Sequence, residues 1–438
     1  KIGTSKLTAT YGDISSDPMD VYVNNIDIVS SLRAFAAIKS DRSIMTWGTA
    51  MYGGYSVEIA DQLINVKTLI ANQFGFAALR DDNTILSWGT LWDAGQYFYY
   101  QNIKEIVTTK DGWAFAALTL DGKVVSWGHN AHGGDPSAVY DQLVDVEKIY
   151  PGSSAFVAEK KDGTVLTWGH PQFGGDSSKV KDKLNNVKDI AANSFGFAAL
   201  KNDGTVVAWG DPEFGGDTTS VNAQLNSVKA LYFNNVSFAA LKNDGTVVTW
   251  GDAYRGGDSS KVQNKLTDVK QIYSNPYAYV ALKNDGSAVV WGLKLNGGDS
   301  SEVQSKLNYL KTVYSTHAAF AAIDNNGKVI TWGDPYLGGD SSLVAEELVN
   351  VDKIASTVTA FAALKKDGTV VTWGDAEFGG DSSKVTNELY DIIDIFGSYD
   401  GAFAAVRKDG VLITWGKPEA GGGATGSDLF IYPATNAD

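Results

Sequence analysis

Residues 228–251 read VKALYFNNVSFAALKNDGTVVTWG, and this stretch decides the fold because the chain repeats it, with variations, ten times. Its closing dipeptide Trp-Gly recurs at Trp47, Trp88, Trp127, Trp168, Trp209, Trp250, Trp291, Trp332, Trp373 and Trp415. The steps between them are 41, then 39, then 41 six times, then 42 residues. A period near 40 residues is the mark of a solenoid or propeller array, in which no repeat buries its apolar face alone and neighbours complete one another's core.

Within the stretch, Val228 to Phe233, Phe238 to Lys242 and Thr246 to Trp250 are three β-rich runs. Asn243-Asp244-Gly245 supplies the positive-φ positions of a tight hairpin turn between the last two. The same turn recurs at Asn202-Asp203-Gly204, Asn284-Asp285-Gly286, Lys366-Asp367-Gly368 and Lys408-Asp409-Gly410. An aromatic opens the second run in every repeat (Phe35, Phe76, Phe115, Phe156, Phe197, Phe238, Tyr279, Phe320, Phe361, Phe403), always twelve residues before its Trp. Insertions are thus excluded from the hairpin, so packing on both faces fixes its register. Small residues among larger ones, as in Phe361-Ala362-Ala363-Leu364, suit sheets stacked face to face.

After each Trp-Gly comes a turn, often Asp-Pro, then Gly-Gly-Asp-Ser-Ser and a segment such as Lys261 to Leu266. Asp or Ser ahead of apolar residues four apart predicts an N-capped helix of about two turns, with Val262 and Leu266 facing inward. The expected fold class is therefore all-β: a β-propeller-like array of ten repeats of about 41 residues, each three antiparallel strands plus a short helix. Closed ring and open spiral both satisfy the pattern.

The pattern V-x-x-I-x-(loop)-F-A-A-L-x-x-D-G-T-V-V-T-W-G resembles the repeat of the regulator of chromosome condensation family. Its shorter unit is similar to the bacterial branch that includes the propeller-type β-lactamase inhibitor proteins. The resemblance spans residues 26–417 and implies a β-propeller with one blade per repeat. That family usually closes with seven blades, and Gly-Gly-Asp-Ser-Ser departs from its glycine-rich segment, so blade number stays open.

Residues 1–24 do not fit the repeat. Leu7 to Tyr11 and Met19 to Val23 alternate around a turn-rich loop, which predicts a hairpin. The stretch resembles the end of a bacterial immunoglobulin-like domain of the kind strung along large surface adhesins; the rival reading is a cap on the exposed edge of the array. The repeat domain is placed at 25–417, and 418–438 is read as a closing strand or a truncated eleventh repeat, Asp428 to Pro433 echoing Lys148 to Pro151. A chain that starts at Lys1 reads as a processed or excised piece, which says little about location; the adhesin-type resemblance implies an extracellular or cell-surface location, as part of a larger exported protein.

The 438 residues are 44% hydrophobic and 20% charged, as in a folded protein, with a formal charge of −15. That charge argues against nucleic acid or an anionic membrane as partner, although a local basic patch can hide in the total. The absence of cysteine excludes disulfides, thiolate metal sites and cysteine nucleophiles together. No apolar run reaches membrane-spanning length, so no membrane insertion is expected.

Chemistry-bearing motifs are few. His129-x-x-His132 has a metal-compatible spacing, but it falls in a turn and reads as a solvated pair, His170 occupying the place of His129 one repeat on. The Asp of Gly-Gly-Asp (Asp135, Asp176, Asp217, Asp258, Asp299, Asp340, Asp381) is a candidate calcium ligand, yet one carboxylate per repeat falls short of six to eight oxygens. Helix capping accounts for it more simply. No metal site, cofactor or catalytic set is expected, and the chain is read as not an enzyme.

The repeated Trp is expected between blades. The informative residues are those that vary on the fixed scaffold. Two residues before each strand-opening aromatic stand Arg33, Phe74, Trp113, Ser154, Phe195, Val236, Tyr277, Ala318, Thr359 and Gly401. The tip after Trp-Gly carries Tyr52, Trp92, His132, Phe173, Phe214, Arg255, Leu337 and Phe378. Loops on a rigid scaffold are where recognition sits, and aromatics with Arg are the usual anchors. Arg33, Phe74, Trp113, Phe195, Tyr277, His317, Tyr399, Tyr52, Trp92, Phe173, Phe214, Arg255 and Phe378 are therefore the candidate binding residues, with padding of the sheet ends as the competing reading. The expected function is an adhesin-type binding module for a protein or glycan. The alternatives are an inhibitor or effector that masks a target enzyme, with Trp113, Tyr277 and Tyr399 as wedges, and exchange activity on a small GTPase.

Overall fold

The structure, a computed structural model, describes residues 28–39, 41–89, 100–110 and 112–422, with the backbone of short strands before them and of Tyr99. Trp92 and Asp428 to Pro433 lie outside the described residues. At the N-terminal end Thr4–Leu7 pairs antiparallel with Met19–Tyr22, and Thr10–Tyr11 with Ile14–Ser15.

Ten antiparallel sheets follow, numbered here in chain order. Their middle strands are Ala34–Ile38, Gly75–Arg80, Ala114–Thr119, Ala155–Lys160, Gly196–Lys201, Ser237–Lys242, Ala278–Lys283, Ala319–Asp324, Ala360–Lys365 and Ala402–Arg407. A first strand such as Val228–Phe233 and a third such as Val247–Gly251 flank each middle strand. Sheet 2 adds Tyr99–Tyr100 as a fourth.

The chain divides into two compact bodies. One comprises Lys1–Leu91, Gly95–Tyr100 and Val344–Asp438 and holds sheets 1, 2, 9 and 10. The other comprises Trp92–Ala94 and Gln101–Leu343 and holds sheets 3 to 8.

The constant spacing from aromatic to Trp follows from register. Phe238 lies directly opposite Trp250, and their rings stack with centroids 5.3 Å apart at 18°. The same stack recurs in every sheet; no member of the ten Trp exceeds 6% exposure. The turn closing the hairpin needs one positive-φ residue, not several: Gly245 takes φ 79° while Asp244 Oδ1 accepts from the backbone N–H and hydroxyl of Thr246. The hydroxyl and N–H hold the exposed Asp244 carboxyl below its usual range.

The core lies between successive sheets. Phe197 and Ala199 face sheet 4 with Ala155, Val157 and Val165, while Ala198 and Leu200 face sheet 6 with Phe238, Ala240 and Trp250. Alanine on both faces of a middle strand lets two neighbours approach at once, which is the physical use of the Ala-Ala pair. In seven repeats the indole reaches back one repeat, Trp250 Nε1 donating to the Gly215 carbonyl at 3.0 Å and Trp291 to that of Gly256 at 3.0 Å. Those tip glycines lie flat on the next aromatic ring: a Cβ on Gly215 would stand 2.7 Å from the Phe238 ring. In sheet 7 the aromatic is Tyr279, fully buried, and its hydroxyl donates to the Ser237 carbonyl at 2.8 Å beside the Ser237 hydroxyl.

Within the first body the tip of the tenth repeat seats on sheet 1 in the same manner. A Cβ on Gly421 would stand 2.7 Å from the Phe35 ring, and Ile28, Phe35 and Trp47 pack with Ala402, Ala404 and Leu412. Thr49 Oγ1 donates to the Glu419 carbonyl at 2.7 Å, and Arg33 pairs with Asp400 at 3.1 Å. Trp47 Nε1 is buried without a hydrogen-bond partner among the described residues, so this junction lacks the indole tie.

The predicted two-turn α-helix is replaced by 3-10 segments such as Asn222–Gln224 and Gln263–Lys265. The recurrent aspartate does not cap them. Asp176 Oδ1 accepts from the Ser178 N–H at 2.9 Å and Asp258 Oδ1 from Ser260 at 2.8 Å, which are side-chain-to-backbone turns ahead of the 3-10 segment. Of the two residues four apart, Leu266 is fully buried and Val262 half-buried, so the spacing marked the inward face although the backbone is tighter.

Candidate functional site

The two variable columns lie at one end of the sheets. Residues such as Phe195 and Tyr277 enter the middle strand beside its Trp, and the tips follow the third strand at the same end. In six repeats a buried polar residue two positions before the variable one holds the tip. Asn193 Nδ2 donates to the Phe214 carbonyl at 2.6 Å, while its Oδ1 accepts from the Phe195 N–H at 2.8 Å. Asn234 does the same for Arg255 at 2.6 Å and Val236 at 2.9 Å, and Asn275 for Asn296 at 2.7 Å and Tyr277 at 2.9 Å. Ser31, Thr316 and Thr357 make the corresponding bond to the tip carbonyls of Tyr52, Leu337 and Phe378. A buried side-chain amide left unpaired is costly, so each clamp fixes the tip before any partner arrives.

On this frame the candidates meet in rows. In the second body Trp113 stacks on His132 at 5.2 Å, His132 lies 5.8 Å from His170, and His170 stacks on Phe173 at 4.4 Å. Phe173 meets Phe195 edge-on at 5.4 Å, and Phe195 meets Phe214 at 4.3 Å. His129 stands 4.6 Å from His132 and edge-on to Trp113 at 5.7 Å. The pair expected to be solvated is instead half-buried among rings, because Trp113 falls against the tip of its own repeat and that tip against His170 of the next. His132 Nδ1 also bonds the Ser154 hydroxyl at 2.8 Å.

Further along the same body Arg255 lies over the Tyr277 ring at 5.8 Å. Tyr277 meets His317 edge-on at 5.0 Å, its hydroxyl 2.8 Å from His317 Nε2. Burial holds the His317 imidazole below its usual range. In the first body Arg33 lies over Tyr52 at 5.6 Å, Tyr52 stacks with Phe74 at 6.2 Å, and Lys417 lies over Phe378 at 4.8 Å while bonding Asp400 at 3.1 Å. A groove of about 730 Å³ beside Phe378 is lined by Glu377, Asp381, Lys417 and Glu419. Tyr399 is 59% exposed, in the turn before the middle strand of sheet 10.

One column escaped the sequence reading. The residue just before the tip carries Tyr254, Leu295 and Tyr336 in three successive repeats, 83%, 76% and 84% exposed. Elsewhere it holds Met51, Leu91, Ala131, Gln172, Glu213, Glu377 and Glu419. Aligning this column would have shown large apolar side chains at a position otherwise mostly small or polar. Among the described residues no group of three or more His, Asp or Glu side chains is arranged to hold a metal ion.

Residues 187–215, which are sheet 5 and its tip, match the model of the Regulator of chromosome condensation (RCC1) repeat. The other nine repeats carry the same strands, turn and Trp-Gly as the matched one, so the chain is an array of RCC1-like repeats. Among solved structures it is similar to Prp20p from Saccharomyces cerevisiae, at 16% identity over 62% of this chain and 73% of that one, TM-score 0.34. It is similar also to the ectodomain of the receptor kinase CR4 from Physcomitrella patens, at 14% identity over 61% and 74%, TM-score 0.35. Human WBSCR16 gives 16% identity over 64% and 80%, TM-score 0.34. No curated protein matches the chain by sequence.

Proposed function

We propose that the chain is a non-enzymatic binding module that holds a protein or glycan partner against the aromatic tip end of its sheets. The observation that carries this reading is the exposed row Tyr254, Leu295 and Tyr336 on backbone already fixed by Asn234, Asn275 and Thr316. Apolar side chains kept in water on a rigid frame lose little conformational entropy on binding and gain from being covered. The packed rings from Trp113 to Phe214 extend the same end as a stiff, mainly apolar band. The module is taken to belong to a larger exported bacterial surface protein of adhesin type, a reading supported by the resemblance of residues 1–24 to the end of an immunoglobulin-like domain.

The test is a screen of the folded chain against a glycan array and a panel of cell-surface proteins. It is repeated with Tyr254, Leu295 and Tyr336 changed to Ser. Binding by the parent and its loss in the triple variant is the expected outcome. Silence of the parent in both screens, or unchanged binding by the variant, contradicts the proposal.

A further inference from the structure

The other end of the sheets carries a repeated irregularity. Where the first strand begins, one extra residue breaks the register with the middle strand, between Val187 and Asp189, Val228 and Ala230, Val269 and Gln271, and Leu310 and Thr312. Such a bulge leaves its residue unpaired and re-aims its side chain. The backbone before it is stereotyped too: Asn186, Ser227, Asp268 and Tyr309 all adopt left-handed φ between 53° and 59°. The bulge residue is therefore presented alike from repeat to repeat.

In sheets 5 to 8 that residue is Lys188, Lys229, Lys270 and Lys311. All four are exposed, and none makes an ion pair or hydrogen bond among the described residues. Four unpaired cations in register stand out in a chain of net charge −15. The strands that bear them run side by side, the Ser274 hydroxyl donating to the Phe233 carbonyl at 2.7 Å and the Ser315 hydroxyl to that of Ser274 at 3.1 Å. Sheets packed face to face lie about 10 Å apart, which sets the order of the step from one lysine to the next.

We propose that Lys188, Lys229, Lys270 and Lys311 form a binding row for a linear anionic polysaccharide, each ammonium meeting one sulfate or carboxylate. The spacing selects this class of polymer. A charge every sugar or two matches widely stepped cations, whereas duplex DNA carries one charge per about 1.7 Å and would set most of its phosphates against an acidic protein. Asp189 just after the bulge, Asp268 in a strand-entry loop and Asp203, Asp244 and Asp285 in the neighbouring turns add carboxylates at this end, which a dense polyanion would meet. Tyr309 is the single aromatic in those loops and turns, so no ladder exists on which bases could stack. Lysine suits the task as a compact charge on a flexible stem.

The experiment measures binding of the intact chain to a heparin oligosaccharide, a single-stranded DNA of matched charge and phosphatidylserine vesicles, at low and moderate salt. Heparin is expected to bind best. Affinity should fall at least about tenfold on raising the salt, and by a similar factor in the variant K188Q/K229Q/K270Q/K311Q. A control variant K179Q/K181Q/K261Q/K265Q makes the same change in net charge at exposed sites outside the row, and should bind within about twofold of the parent. The single change K229Q, which disturbs folding least, should already weaken binding. The proposal is overturned by absence of heparin binding, by equal losses in the row and control variants, by an unaffected row variant, or by tighter binding of DNA or vesicles than of heparin.

Discussion

Two stretches of the same tip end, both in the second body, are built on one backbone and finished differently. In sheets 3 to 5 the side chains from Trp113 to Phe214 pack on one another in an unbroken run of rings. In sheets 6 to 8 the large side chains of Tyr254, Leu295 and Tyr336 stand in solvent more than three-quarters exposed. The clamp of sheet 5, Asn193, is matched in the second stretch by Asn234, Asn275 and Thr316. What differs is the identity of the surface side chains at this end. The scaffold therefore dictates where a side chain is held, and the surface residue alone decides whether it is satisfied by a neighbour or left for a partner.

If the stretches differ only at their surface, their interiors must cost the same to damage. Phe197→Ala in sheet 5 and Phe238→Ala in sheet 6 should each destabilise by about 3–5 kcal/mol, measured by denaturant unfolding. A large inequality between them would show that the difference reaches the core. Next in size are the clamps. Asn193→Ala and Asn234→Ala each strand a tip carbonyl and a backbone N–H, at a cost of about 1–3 kcal/mol, with faster amide exchange confined to the two ends of that clamp. Exchange that stays slow at the tip would mean the clamp does not position it.

A smaller effect separates the stretches by pH. Because burial depresses the His317 pKa in the folded chain, the unfolded state takes up the proton first as pH falls. Stability from this group is complete above the unfolded value near 6.5 and declines below it. His317→Gln should flatten that part of the pH profile of the melting temperature, and an unchanged profile would remove His317 as its source. The smallest expected change in stability belongs to the exposed row. Tyr254→Ser, Leu295→Ser and Tyr336→Ser together should shift folding by no more than about 0.5 kcal/mol per site while abolishing binding at this end. A marked loss of stability would identify the row as padding.

Much of the fold was legible because the features that fix it are local and repeat. The Trp-Gly period, the invariant twelve residues from Phe238 to Trp250 and the Asp-Gly turn each follow from direct pairing across one hairpin. The candidate residues were legible as variation on that frame, and Tyr52 with Phe74 or Phe173 with Phe195 do meet. The helix was misread because a four-residue apolar spacing serves a 3-10 turn with Leu266 buried as well as an α-helix. The clamps escaped notice because their partners lie 21 residues away, and an Asn in a loop carries no mark of being buried. The bulges were hidden for a similar reason: an extra residue such as Lys229 shows only when the strand is laid against its partner.

The central claim, that the tip end of the sheets is the recognition surface, is tested most directly by amide hydrogen exchange on the chain with and without a partner captured in the screen. Protection centred on the tips around Tyr254, Leu295 and Tyr336 and on the turns at Phe195 and Tyr277 is the result this account predicts. Protection confined to the 3-10 segments and hairpin turns away from that end, with the tips exchanging as before, would contradict it.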